Sequence, residues 1–153
     1  MKKYLLVPLA LAAATQFASA DPITRQIKVT ANIPASVFTI RDEGNWMNQE
    51  QRMGLDENGN LLGIQQRLYV KSSEPLTAKF TSPPTITGLG QNIPLTLNIG
   101  GTDVNATTPT EFISAADAGN GRTLDVVLGA APGPYKPANY FGYMNVVFDV
   151  KAP

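Results

Sequence analysis

The segment NYFGYMNVVFDVK, residues 139–151, alternates with a period of two along its whole length. Tyr140, Gly142, Met144, Val146, Phe148 and Val150 fall on one face. Phe141, Tyr143, Asn145, Val147, Asp149 and Lys151 fall on the other. Successive side chains of a strand point to opposite faces, so the pattern predicts one long strand with the first set against a core. The same period recurs further out. Ile23, Ile27, Val29, Ala31 and Ile33 alternate with polar residues, and only Arg25 interrupts the apolar row. Pro34 ends that ladder, because it has no N–H to donate. Strands are expected at 36–41, 65–72, 76–81, 93–99, 102–104 and 123–128, with a short strand or helical turn at 110–114. Gly100-Gly101 and Gly119-Asn120-Gly121 mark turns between them. No window after residue 20 carries a helical period. Roughly seven or eight strands with a turn signal every 8–12 residues predict an all-β sandwich.

Composition narrows the chemistry. The chain has 153 residues, 12 Lys+Arg, 12 Asp+Glu, no His and no Cys. The absence of His excludes a Ser-His-Asp triad and His metal ligands. The absence of Cys excludes a thiolate nucleophile, Cys-held metals and disulfides. Zero net charge argues against an electrostatic nucleic-acid binder. No catalytic residue, metal ligand or cofactor is expected.

Residues 1–20 read as a signal peptide. Lys2 and Lys3 form a positive start, Tyr4–Ala14 an apolar run, and Ala18-Ser19-Ala20 a cleavage signature, with cleavage after Ala20. The run is far shorter than the roughly 20 residues that span a bilayer. Loss of these twenty residues leaves 133 of the 153, with 10 basic and 12 acidic side chains. An exported chain without disulfides must draw its stability from an apolar core or from partner chains.

The stretch 42–63 is polar and reads as a long loop with one hairpin, in which Asn58-Gly59 predicts a type I′ turn between Leu55 and Leu61-Leu62. Trp46 and Met53 are expected to tack it to the body. Asp56 to Asn60 begins like a calcium loop, but the sixth and twelfth positions are Leu61 and Arg67 rather than Gly and Glu. Asp42, Glu43, Glu50, Asp56 and Glu57 could in principle supply a carboxylate pair for glycoside hydrolysis, yet loop carboxylates are ordinarily a solvated surface. Asn105-Ala106-Thr107 is a glycosylation triplet of a length that recurs by chance.

The two ends carry a resemblance. Ile27-Lys28-Val29-Thr30-Ala31-Asn32-Ile33-Pro34 is similar to an I-x-V-T-A-x-(x)-P donor segment. Pro137-Ala138-Asn139-Tyr140-Phe141-Gly142-Tyr143-Met144-Asn145-Val146-Val147-Phe148 is similar to an A-G-x-Y-x-G-x-(V/M)-x-(V/L) final strand. Together they resemble the major fimbrial subunits of the alternate chaperone–usher pathway. These are the alpha-fimbriae of coli-surface-antigen, colonisation-factor and cable-pilus type. The lack of Cys fits that branch.

The resemblance implies an incomplete immunoglobulin-like β-sandwich of about seven strands, completed by a strand from a neighbouring subunit. It implies three parts: signal peptide 1–20, donor extension 21–35 and pilin domain 36–153. Ile23, Ile27, Val29, Ala31 and Ile33 would be the donor side chains and Pro34 the hinge. Expected partners are further copies of the chain in a head-to-tail polymer, a periplasmic chaperone, an outer-membrane usher and a tip adhesin. The expected location is a cell-surface fimbria reached through the periplasm, with no membrane insertion. On pattern alone, residues 23–33 could instead be the first strand of their own sandwich. A tip adhesin or lectin-like sandwich that binds host sugar is the competing function. A small carboxylate hydrolase is a third.

Overall fold

Apolar side chains at every second position bury one face of each long strand and so stack two sheets. The computed structural model describes residues 38–151. Within them lie β1 (Phe38–Asp42), β2 (Ile64–Ser72), β3 (Leu76–Phe80), β4 (Thr85–Gly88) and β5 (Gln91–Ile99). These are followed by β6 (Thr102–Asp103), β7 (Thr110–Ile113), β8 (Arg122–Ala130), β9 (Phe141–Tyr143) and β10 (Val146–Val150). One helical turn, α1 (Ala115–Ala118), follows β7, and the Ser114 hydroxyl caps it by accepting the Asp117 N–H.

The larger sheet runs β1-β2-β8-β5-β4-β9, with β6 also beside β5; the smaller runs β10-β3-β7. Every pairing between these named strands is antiparallel; one isolated parallel bridge joins Lys79 of β3 to Asn105. Leu68 and Val70 of β2, Leu97 and Ile99 of β5, and Leu124 and Val126 of β8 enter the core from the larger sheet. Leu76, Ala78 and Phe80 of β3 and Phe112 and Ile113 of β7 enter it from the smaller. Phe112 meets Phe148 of β10 edge to face, with ring centroids 6.0 Å apart. The fold is an incomplete immunoglobulin-like β-sandwich.

Three features depart from the sequence expectations. The first is an additional strand, β4, which pairs with β5 across the tight turn at Leu89-Gly90. The second is the turn at Asn58-Gly59. A type I′ turn needs positive φ at both central residues, but of these only Gly59 has it, at 79°. The loop instead closes on Asp56. Its carboxylate accepts the N–H groups of Asn58 and Asn60 at 2.8 Å, and its own N–H reaches Asn60 O at 2.8 Å. The Asn60 backbone N–H, foremost among these donors, holds the Asp56 carboxyl below its ordinary range.

The third departure matters most. The alternation over 139–151 is divided between the two sheets. β9 pairs with β4 in the larger sheet, and β10 pairs with β3 in the smaller. Tyr140 and Gly142 therefore do not share a core face with Val146, Phe148 and Val150. Tyr140 precedes β9 and bonds through its hydroxyl to Gln91 Oε1 at 2.7 Å and Lys136 O at 2.8 Å. Gly142 is exposed and lies hard against β4; a Cβ there would sit 2.1 Å from Thr85 O. A backbone oxygen cannot step aside, so Gly142→Ala is expected to lift β9 from β4 and cost about 1–3 kcal/mol. Thermal melting checks this, and an unchanged midpoint would show that β9 contributes nothing to stability.

Candidate assembly site

The 42–63 loop sits beside the body through local chemistry. Trp46 is buried, and its Nε1–H donates to Arg67 O at 2.9 Å. Met53 is half-buried. Four of the five loop carboxylates are engaged separately. Asp42 accepts the Met47 N–H, Glu43 the Thr123 hydroxyl, and Glu50 pairs with Arg52, while Asp56 closes its own turn. They hold the loop rather than converge on one point.

The ends of the smaller sheet differ in cover. At one end, Phe112 and Ile113 of β7 are buried. At the other, Val146, Phe148 and Val150 of β10 point at the core yet are only half-buried, as is Met144 at the crossing between sheets. Phe38 and Ile40 of β1 are also half-buried against the same core. Among the described residues no strand pairs along the β10 side of the three-stranded sheet.

The backbone of β10 shows which groups face away from β3. The Thr81 N–H donates to Asn145 O at 3.0 Å, and the Lys151 N–H donates to Pro75 O at 2.8 Å. In an antiparallel ladder the hydrogen-bonded pairs alternate, so residues 145, 147, 149 and 151 face β3. Val146, Phe148 and Val150 then turn their N–H and C=O groups away from β3, toward an edge on which no strand pairs among the described residues. The residues whose side chains need more cover are those whose backbone groups face that edge. An added strand would meet both needs at once.

A family described as CS1 type fimbrial major subunit matches residues 23–149. The chain belongs to this family. The match includes both the segment after the signal-like start and the final strand, where the resemblance lay. As a CS1 type major subunit the protein is a structural pilin, a repeating unit that polymerises into a surface fimbria. Among solved structures it is similar to the CooA pilin subunit from enterotoxigenic Escherichia coli. That similarity has a TM-score of 0.51 and 14% identity, covering 63% of this chain and 75% of the other. At this identity the likeness speaks for the fold. No curated protein matches the sequence with significance.

Ile23, Ile27, Val29, Ala31, Ile33, Pro34 and Ala20 of the CS1 type subunit lie outside the described residues. The sequence singled out Val146, Phe148 and Val150 for their core face. It gave no indication that this strand ends a sheet, because edge position depends on which strand pairs with which.

Proposed function

We propose that the subunit polymerises by donor-strand exchange, residues 21–33 of one copy pairing along β10 of the next. The half-buried inward face of β10, beside backbone groups turned to an open edge, is the observation that carries this reading. The added strand supplies backbone hydrogen bonds for affinity. Ile23, Ile27, Val29, Ala31 and Ile33, on alternate positions interrupted only by Arg25, supply one apolar face and fix the register. Pro34 ends the donated strand and sets the angle between subunits.

Such an interface is heterologous and does not close on itself, so it yields an open filament. Before assembly the edge would be held by a periplasmic chaperone, exchanged at an outer-membrane usher, and the filament would end in a tip adhesin. In this reading residues 1–20 are removed on export, 21–35 form the extension and 36–153 the pilin domain. The role is structural and non-catalytic, with adhesion served by the fibre.

The test is a chain carrying a second copy of residues 21–33 after Pro153, joined by a flexible linker. The copy is expected to fill its own β10 edge and yield soluble subunits that do not polymerise, as read by size-exclusion chromatography. Normal polymerisation of that chain would overturn the proposal.

A further inference from the structure

The free edge of β10 is not open along its whole length. Its outward backbone groups belong to Val146, Phe148 and Val150. The Val150 N–H is already taken. It donates at 2.8 Å to Oδ1 of Asp149, the residue before it. The carbonyl oxygen of Asp149 faces the other way and accepts from the Thr77 hydroxyl at 3.3 Å. One rung further, the Lys151 N–H is bound to Pro75 O, and the Lys151 ammonium pairs with Glu111 at 2.8 Å. The end of β10 is thus fastened on its inner side, and a carboxylate covers its outer donor. Among the described residues no side chain takes the N–H of Val146 or Phe148.

We infer that Asp149 is a register stop for the incoming strand, an inference that rests on the donor-strand reading above. A strand that extended its ladder past Phe148 would bring a carbonyl oxygen to the Val150 N–H. There it meets an ionised acceptor already bonded to that donor, so two acceptors compete for one hydrogen. The backbone ladder therefore ends at Phe148, and Val150 is left to side-chain cover alone. A slip of one residue would turn the donor's apolar face to solvent, so slips come in steps of two. The slip that reaches Val150 is the one Asp149 blocks. The same carboxylate blunts the edge in a subunit that has not yet been joined.

The chain has no cysteine, so an introduced pair reports pairing without background. Val147 is exposed on the outer face of β10. The full chain would carry Val147→Cys with a second substitution at Gln26, Lys28 or Thr30 in turn, and disulfides between subunits would be read in isolated fimbriae. With Asp149 in place, one of the three pairs is expected to dominate. In Asp149→Ala the pair two residues away should gain about tenfold, the factor that one lost charge-assisted hydrogen bond supports. Asp149→Asn keeps an Oδ1 acceptor and should retain the single partner. An unchanged single partner in Asp149→Ala overturns the register stop. So does loss of fimbriae in that variant alone, which would make Asp149 a folding residue. Absence of any disulfide with Asp149 intact is a different result and overturns the donor-strand reading beneath it.

Discussion

Val29→Asp is expected to remove fimbriae from the cell surface while cleavage after Ala20 continues. Val29 is central in the alternating row Ile23–Ile33, so on the donor-strand reading it would lie against the half-buried face of Val146, Phe148 and Val150. The substitution forfeits roughly 1.5–3 kcal/mol of apolar burial. It also takes a carboxylate out of water, which costs several kcal/mol more when no partner charge is present. That penalty recurs at every junction of the polymer. On the reading of residues 18–20 as the cleavage signature, cleavage should not change. Electron microscopy of cells, with the mass of the exported chain measured alongside, checks both halves. Normal fimbriae from this variant would show that Val29 is not buried between subunits.

Deleting residues 21–33 is expected to have a comparably large effect on the subunit itself. The chain would then have nothing to donate, and export should give isolated subunits that are degraded or retained on a chaperone. The half-buried Phe38, Ile40, Met144, Val146, Phe148 and Val150 mark where its core would stay open. A free β10 edge adds a template for aggregation. The C-terminal copy of 21–33 should rescue this deletion to a soluble monomer. Limited proteolysis and thermal melting measure the outcome. A deletion that alone gives a cooperatively melting monomer would mean that the segment completes no essential sheet.

The core was legible because each strand reports its buried face by itself. Leu68 and Val70, Leu76, Ala78 and Phe80, and Leu124 and Val126 alternate cleanly and are buried. Leu95 is the exception within β5, half-buried where the strand passes from β4 to β8 as its partner. What one strand cannot report is its neighbour. The alternation of 139–151 runs unbroken through Met144-Asn145, although the chain changes sheets there, because both sheets need the same period. β4 was hidden for a different reason. Thr85–Gly88 follows two prolines and precedes a glycine turn, so it reads as connector, and only pairing with β5 makes it a strand. Loop hydrogen bonds were likewise out of reach. Asn58-Gly59 named a turn correctly, but the Asp56 carboxylate selects its type.

The partnership of β10 with β3 joins residues far apart in the chain, Val146 with Phe80 and Val150 with Leu76. A polypeptide is made from its N-terminus, so the smaller sheet lacks its last member until nearly all of it has been synthesised. Pairings of such long sequence separation also form late in folding, since the intervening chain must first be closed into a loop. The segment read as donor is therefore present from the start, while the edge read as acceptor comes into being last. On that reading, a chain cut short before β10 would keep its arm but have no edge to take one. Exported products truncated before β10 would then act as terminators of growth rather than as links.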